Sequence, residues 1–377
     1  VGLSASGIAP LEITRTRDVK YSEVPYRLPN NTKPEAYDLF LATDIASGVF
    51  NFSAEIKIRI NILEETNYIT LHQHGLRISS AQLARITGEN INIKQPQYDQ
   101  LRDFVTFETD NTILQPGQSV TLVIKYDGTL NDKYFGFYQF SYHDVKQNRS
   151  IWIATTHFEP IFARRCFPCY DEPALKATFN IQIAHSSNYT AISNMPEAER
   201  TINGSQAITR FEQTPPISSY LIAFVIFDFN FKEMKNDNGY RYRIYASAAK
   251  IDRVEYALIE SDKVHTALSN YLRMNFTLPK MDQVALPNYS PEYGATENWG
   301  LIIYKEHRLL YNEEKDADEQ KTLITSTISH EISHQWFGNL VTPKWWNYVW
   351  LNEGLGTLLE YVATDMVLDV TKLLIML

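Results

Sequence analysis

The sequence predicts a multi-domain protein in which a strand-rich amino-terminal domain precedes a domain of mixed strands and helices. Its 377 residues exceed the length of one typical domain, and 44% hydrophobic residues can bury a sizeable core. Between Tyr37 and Phe229, apolar residues recur at every second position, as in half-buried strands. Beyond the polar stretch Lys235–Gly239 they recur with the spacing of amphipathic helices, so a second domain begins near Asn230.

The strands of the first domain are predicted from alternating apolar and polar side chains. Four isoleucines alternate with polar residues in Ile56–Ile62, and similar segments occupy Val120–Tyr126 and Phe179–Ile183. The first twenty residues lack bulky apolar periodicity. We therefore expect an extended tail at 1–20 and an all-β domain at 21–229.

The second domain, at 230–377, is predicted to combine one clear strand with several helices. Apolar residues from Val254 to Leu272 fall on one helical face, and Gly338 has the position of a helix C-cap. The expected elements are a strand at Tyr242–Tyr245, a helix at Val254–Leu272, a helix from about Ala317 to Phe337, and a helix starting near Asn352.

Charge and hydropathy exclude two kinds of partner. The 35 basic and 44 acidic residues give a net charge of −9 without a block of like charge, so nucleic acid is not expected as a partner. The longest apolar run, Tyr220–Phe227, is far shorter than the roughly 20 residues of a membrane helix and predicts a buried strand. We expect no membrane span in this chain, and an anchor elsewhere in a longer parent protein is compatible with that.

Glycosylation motifs indicate an extracellular location. Asn-x-Ser/Thr sequons occur about twice as often as chance predicts, which favours a secreted protein or the extracellular face of the plasma membrane. Simple abundance of Asn and Thr is the alternative explanation. No signal-peptide pattern follows Val1, so we expect any targeting segment to have been removed or left outside this sequence. The candidate acceptors are Asn30, Asn51, Asn148, Asn188, Asn203, Asn275 and Asn288.

A His-Glu-x-x-His pattern in the second domain indicates a metal site. His330 and His334 are four residues apart, so on a helix their imidazoles share one face and can bind one ion, with Glu331 beside them. An exposed helical turn is the alternative. Apolar neighbours such as Trp336 and Phe337 instead predict a largely buried helix, in which unpaired polar groups are costly.

The third ligand is predicted from the next helix. Glu353 follows His334 by nineteen residues, and an antiparallel return would bring its carboxylate to both imidazoles. Two histidines, one glutamate and an open position form the ligand set of catalytic zinc, whereas structural zinc usually has four protein ligands. One Zn²⁺ ion there would activate water, with Glu331 as the general base that relays its proton to the leaving amine.

Three sequence blocks resemble the M1 family of zinc aminopeptidases, which are gluzincins, and in particular the aminopeptidase N type of animal cell surfaces, an insect-like surface paralogue being one candidate. The blocks are FEPIFARRCFPCYDEPALKATF from Phe158, LPKMDQVALPNYSPEYGATENWGLIIYKE from Leu278 and HEISHQWFGNLVTPKWWNYVWLNE from His330. Weaker similarity extends from Tyr26 onward. The resemblance implies a saddle-like β sandwich packed on a thermolysin-like α+β catalytic domain that removes amino-terminal residues from peptides.

The resemblance also implies which residues bind the substrate's free amino terminus. One segment matches the family's Gly-Ala-Met-Glu-Asn motif, whose glutamate binds the α-amine, and Glu159 matches a second amine-binding acid. Two such carboxylates would present the first peptide bond to the metal. Without the resemblance, each is an ordinary surface glutamate. The matching segment consists of Gly294, Ala295, Thr296, Glu297 and Asn298.

Departures from the family pattern lie close to the expected substrate pocket, so the preferred first residue stays open. The zinc ligands are intact. The substituted positions are His157 for Gln, Ile161 and Phe162 for Thr-Asp, Thr296 for Met and Tyr348 for Asp, with a two-residue lengthening at Pro291-Glu292-Tyr293.

The resemblance further implies that the catalytic domain is incomplete. The family's oxyanion-binding tyrosine and helical carboxy-terminal domain lie farther downstream than the 24 residues between Glu353 and Leu377. We therefore expect the 377-residue chain alone to be nearly inactive.

The Cys166-x-x-Cys169 pair has three readings, namely redox chemistry, a second metal site or packing. The two cysteines cannot form a disulfide framework, so the redox compartment stays open. One pair does not complete a zinc site, and the resemblance places a packing cysteine at Cys169. We expect both to be small buried hydrophobes.

Three functions compete on this sequence. An aminopeptidase acting on peptides with a free amino terminus leads. A catalytically weak surface receptor or binding ectodomain is suggested by the substituted pocket and the sequons. A zinc endopeptidase shares the metal chemistry, and only the amine-binding glutamates argue against it.

Overall fold

The structure is a computed structural model that describes residues 26–145, 148–237, 239–289 and 294–368. The predicted tail at 1–20 and the insertion at Pro291-Glu292-Tyr293 lie outside these residues. The strands of the first part are β1 (Thr32–Thr43), β2 (Asn51–Ile62), β3 (Tyr68–His72), β4 (Arg77–Arg85), β5 (Asn90–Ile91), β6 (Gln97–Asp99), β7 (Phe104–Glu108), β8 (Ser119–Thr129), β9 (Gly136–Asp144), β10 (Arg149–His157), β11 (Thr178–Ser186), β12 (Thr190–Ser193), β13 (Glu197–Asn203), β14 (Gln206–Phe211) and β15 (Phe224–Phe227).

An eight-stranded sheet with the order β13-β14-β11-β1-β2-β8-β4-β5 is the largest layer of the first part. β1 pairs antiparallel with β2 and parallel with β11. The isoleucines of Ile56–Ile62 are at most 1% exposed, because alternate side chains of β2 all point into the core. The predicted strands at Val120–Tyr126 and Phe179–Ile183 lie within β8 and β11 and are confirmed.

A four-stranded sheet (β12-β15-β10-β9) and a three-stranded sheet (β3-β7-β6) complete the strand-rich domain. The strand predicted at Tyr220–Phe227 is only partly correct. All eight residues are buried, but a 3₁₀ turn at Ser219–Leu221 precedes β15. Hydroxyl hydrogen bonds from Ser218 to the Pro173 carbonyl and from Ser219 to Asp171 hold that turn.

The second part combines a mixed sheet with three α-helices among the described residues, so the predicted succession of a strand-rich domain and a domain of mixed strands and helices is confirmed. The sheet order is β16-β17-β18-β20-β19, with β17, β18 and β20 parallel. Ile324, Ile328 and Ile332 project from one helix into the core at 0% exposure. The elements are β16 (Asn230–Lys235), β17 (Arg241–Ala246), α1 (Glu255–Leu272), β18 (Lys280–Leu286), β19 (Ala295–Thr296), β20 (Leu301–Lys305), α2 (Asp318–Ser333) and α3 (Val349–Leu368).

The predicted ends of α2 and α3 need correction. α2 stops at Ser333 rather than Phe337, because the chain tightens there into three-residue turns, as in the bond from the Trp336 amide to the Ser333 carbonyl. Gly338 has a left-handed φ of 115° but does not cap the helix. α3 begins at Val349, so Glu353 lies in its second turn instead of opening it.

The two parts share a hydrophobic core. One cluster contains Tyr138 and Ile153 from the strand-rich part and Val284 and Leu286 from the mixed sheet. The predicted domain boundary falls in the two-residue link between β15 and β16. Polar contacts reinforce the junction, since Lys176 Nζ donates to the carbonyls of residues 339 and 340 at 2.9 and 3.0 Å.

Candidate active site

The end of α2 and the start of α3 bring the three predicted metal ligands together. His330 Nε2 lies 3.0 Å from His334 Nε2. One carboxylate oxygen of Glu353 lies 3.6 Å from the first and 3.8 Å from the second of these nitrogens. Donors that bind one tetrahedral zinc ion at about 2.0–2.2 Å are roughly 3.3–3.6 Å apart, so these three atoms fit that ion.

Each imidazole is oriented by a second contact. Glu360 Oε2 lies 3.1 Å from His330 Nδ1, and the Phe337 carbonyl lies 3.0 Å from His334 Nδ1. Because both acceptors require a proton on Nδ1, both Nε2 atoms of the neutral rings present lone pairs. Two lone pairs 3.0 Å apart repel each other unless a cation lies between them, and this favours a metal site.

The carboxylates around the imidazoles also favour a positive charge at this place. Burial alone would lower the pKa of His330, but the nearby carboxylates of Glu353 and Glu360 outweigh it and raise the pKa to about 11. Burial works against ionisation of Glu353, yet His330 and His334 lower the pKa of that carboxyl. A divalent cation satisfies the same electrostatic demand.

Glu331 has the environment expected of a general base. Its side chain is buried, and within the described part of the chain its Oε2 has no hydrogen-bond partner. Burial raises the pKa of Glu331 well above its ordinary value; His330 opposes this shift, and the neighbouring Glu297 and Glu353 add to it. A carboxylate with a raised pKa beside a cavity accepts a proton more readily than an exposed one.

Two further carboxylates meet beside the ligand cluster. Glu159 follows β10 and Glu297 follows β19, and their side chains form a hydrogen bond. Oxygens from this pair and from Glu353 all lie within 4.8 Å of one another. Burial, reinforced first by Glu297, raises the pKa of Glu159 well above its ordinary value. Carboxylates this close need a shared proton or a cation, and an ammonium group provides the latter.

Two side chains from the segment that follows α2 hold Glu297 in place. Its carbonyl accepts hydrogen bonds from Gln335 Nε2 at 2.9 Å and Asn339 Nδ2 at 2.8 Å. The Gln335 side-chain oxygen in turn accepts the Gly300 amide at 3.1 Å. The loop that carries Glu297 and the segment that follows α2 therefore form one hydrogen-bonded unit.

These groups line a cavity of about 660 Å³. Of the predicted site residues, only Asn298 does not line it. Among the substituted positions, His157 and Thr296 line it, whereas Ile161, Phe162 and Tyr348 do not. The sequence analysis missed six lining residues, namely Pro160, Arg308, Thr327, Trp346, Val349 and Glu360. For Glu360 a signal existed, since it follows Glu353 by seven residues and so returns to the same helix face.

Other predicted residues lie away from the cavity. The seven sequon asparagines are all exposed, as an acceptor must be. Cys166 and Cys169 are fully buried, and burial raises the pKa of both thiols, so they pack and are poorly suited to redox chemistry. Among the described residues, no helix combines the length and apolarity needed to cross a bilayer.

A three-donor metal site with an open side and a buried carboxylate beside it is the arrangement of metallohydrolases, and the acidic pair suits a substrate with a terminal cation. Comparison with known proteins agrees with that class. Residues 33–221 match the Peptidase M1 N-terminal domain, and residues 256–376 match the Peptidase family M1 domain. The chain therefore belongs to the M1 peptidase family, as the three sequence blocks indicated.

Similar proteins in this family are aminopeptidases. The chain is 36% identical to aminopeptidase M1 of Arabidopsis thaliana over 346 residues, 90% of this chain and 38% of that protein. It is 36% identical to glutamyl aminopeptidase of Bos taurus over 343 residues, and to endoplasmic reticulum aminopeptidase 1 of Homo sapiens over 351 residues. These matches cover 90% of this chain and 35% and 36% of those relatives, so the chain spans little more than a third of their length.

Proposed function

We propose that this chain forms the metal-binding and amine-binding part of a zinc aminopeptidase that removes the first residue from peptides. The observation that carries the proposal is the carboxylate pair Glu159 and Glu297 next to the ligands His330, His334 and Glu353. An endopeptidase has no use for an ammonium site at this place, because its substrates are uncharged amides on both sides of the scissile bond.

Each group has a distinct task in the proposed reaction. Glu159 and Glu297 bind the substrate's α-ammonium and fix the distance to its first carbonyl. Glu331 accepts a proton from the attacking water and returns it to the leaving amine. A zinc ion at the three ligands would supply Lewis-acid polarisation of the scissile carbonyl and a lowered pKa for water.

The first test compares substrates that differ only at the amino terminus. The natural full-length protein, loaded with zinc, should hydrolyse alanine anilide and leave N-acetyl-alanine anilide intact. Equal rates would favour the endopeptidase alternative, and no turnover of either would favour the receptor alternative.

The second test addresses the metal directly. One zinc per chain is expected by atomic absorption, and His334→Ala should abolish tight binding because it removes one of three donors. His143→Ala is the matched control, because that histidine is exposed on β9, outside the cavity. Stoichiometric zinc in His334→Ala would show that the ligand assignment is wrong.

We also propose that the parent protein is glycosylated and works outside the cell, because the seven sequon asparagines are all exposed. Protein secreted from animal cells should lose apparent mass on treatment with an N-glycosidase. An unchanged mass would contradict the proposal.

A further inference from the structure

Arg308 lies in the same cavity as five glutamates and, within the part of the chain that the structure describes, pairs with none of them. It lies at the end of a 3₁₀ turn, Glu306–Arg308, that directly follows β20. Among the described residues it forms no hydrogen bond or ion pair, and its Nε atom is buried without a partner. Of the described residues that line the cavity, it is the one Arg or Lys, and five glutamates line the same cavity. The residue as a whole is only partly buried, but its Nε has lost water without gaining a partner, so a ligand that supplies an anion would gain from binding there.

The backbone of Gly294 places this guanidinium. The Lys305 amide donates to the Gly294 carbonyl at 2.9 Å, which fixes the turn beside the amine-binding segment. A Cβ atom at residue 294 would lie 3.4 Å from Arg308 Nε and 3.7 Å from its Cζ. The guanidinium therefore lies beside Gly294, just before the start of β19, and Glu297 follows the other end of that strand.

The strand β19 is the edge of its sheet, and its residues line the cavity. An extended peptide can pair with such an edge. With its ammonium at Glu297, that peptide runs antiparallel to β19 toward Gly294. Three residues of extended chain span about 10 Å, so the second or third residue of the peptide arrives beside Arg308.

We propose that Arg308 binds a carboxylate carried near the second or third residue of the substrate and thereby sets specificity. Two sources share this chemistry, the terminal carboxylate of a dipeptide or tripeptide and the side chain of Asp or Glu in a longer peptide. The proposal deepens the proposed function and rests on the amine-binding site assigned there.

Kinetics with matched substrates test the proposal on the zinc-loaded full-length protein. One pair is Ala-Ala-Ala with a free carboxy terminus against its carboxamide, and the other is Ala-Glu-Ala-Ala-amide against Ala-Gln-Ala-Ala-amide. The acidic member of at least one pair should have a kcat/KM about tenfold or more above its partner, because charge-assisted hydrogen bonds are stronger than neutral ones. The pair that shows the preference identifies the source.

Arg308→Met should remove that preference, mainly through KM, so that the acidic and neutral members of each pair become equally good substrates. Arg308→Lys should retain part of it, since lysine keeps the charge but not the planar fork. The control is Arg77→Met, which removes an equal charge from a side chain 83% exposed on β4. A wild-type protein without preference in either pair, or a preference that survives Arg308→Met, overturns the proposal.

A binding measurement separates this proposal from the proposed function. Calorimetry with a reduced-bond alanine dipeptide and its carboxamide reports carboxylate recognition without turnover. Weaker binding of the carboxamide by wild type, and equal binding of both ligands by Arg308→Met, would support the role of Arg308 even if hydrolysis failed. Normal anilide turnover, equal binding of both ligands by wild type and no preference in either kinetic pair would together overturn the Arg308 proposal alone. Absence of both binding and turnover would overturn both proposals.

Discussion

At the scale of single residues, the pair Glu159 and Glu297 should act as one unit. Glu297→Gln is expected to reduce kcat/KM for alanine anilide roughly a hundredfold, because an amine displaced by about an ångström misplaces the carbonyl. Glu159→Gln should have a similar effect. Since the two side chains touch, kcat/KM of the double variant should fall by far less than the product of the two single reductions. Multiplicative losses in a double-mutant cycle would show that the two acids act independently.

Glu360 should be needed to position His330. Its carboxylate accepts from His330 Nδ1 without joining the three donors. Glu360→Ala is therefore expected to weaken zinc affinity about ten- to a hundredfold, measured by chelator competition. Glu360→Gln keeps an acceptor and should lose less. Unchanged affinity in Glu360→Ala would mean that the helix alone fixes the ring.

Buried histidines should make the fold sensitive to acid. Burial lowers the pKa of His265 to about 4 from 6.5, although Asp262 opposes the shift. Between pH 6.5 and pH 4, His265 is protonated in the unfolded chain and neutral in the folded one. The free energy of unfolding therefore keeps its full value above pH 6.5 and falls as the pH drops toward 4. The loss at pH 5 is about 2 kcal/mol.

Denaturant unfolding at pH 7.5 and pH 5 measures this effect. His265→Asn should show a smaller difference between the two pH values than wild type. The exposed His143→Asn serves as the control and should leave the difference as it is. An unchanged difference in His265→Asn would assign the acid sensitivity to other groups.

Site residues that share a short sequence motif could be predicted from the sequence. Residues that join the site only through tertiary contacts could not. The four-residue spacing of His330 and His334 follows from one helix, so it could be read directly. Gln335 contacts Glu297 across 38 positions of the chain, and Arg308 meets Gly294 only because β19 and β20 pair. Neither contact leaves a periodic trace in the sequence.

At the scale of secondary-structure elements, the regular repeats were predictable and the irregular ends were not. The alternation along β2 predicted its buried face, since the period is a property of the strand itself. The early end of α2 depends on a run of three-residue turns before Gly338, which propensity does not reveal. The turn before β15 likewise depends on partners about 45 residues away.

Gly300 should not tolerate a side chain, because two loops come close together at this residue. Gly300 has a φ of 78°, and a Cβ atom there would lie 2.5 Å from the Asn194 carbonyl oxygen. Gly204 shares a positive φ, 60°, but its Cβ would meet nothing within 4 Å. Gly204→Ala should cost about 1 kcal/mol through backbone strain alone. Gly300→Ala should cost at least about 3 kcal/mol, because backbone must also move.

Thermal or denaturant unfolding of these two variants separates strain from close approach. Equal losses of unfolding free energy in the two variants would indicate that the loop at Asn194 can shift at little cost. Because Gly300 donates its amide to Gln335, Gly300→Ala should also lower kcat/KM, whereas Gly204→Ala should not.

At the scale of the whole molecule, the shared core predicts one cooperative unfolding transition. Aromatic and aliphatic side chains from both parts form a single cluster, so neither part can lose its packing without exposing the other. Fluorescence, which reports five tryptophans of the second part and Trp152 of the first, should give the same midpoint as far-UV circular dichroism. Two separated midpoints would show that the parts unfold independently.

The proposed amine site also makes substrate selection depend on the packing of the two parts. Glu159 belongs to the strand-rich part and Glu297 to the second part, so neither part alone contains both carboxylates of the proposed ammonium site. Under the proposed function, the selection of a first residue therefore requires both parts to be folded and packed against each other.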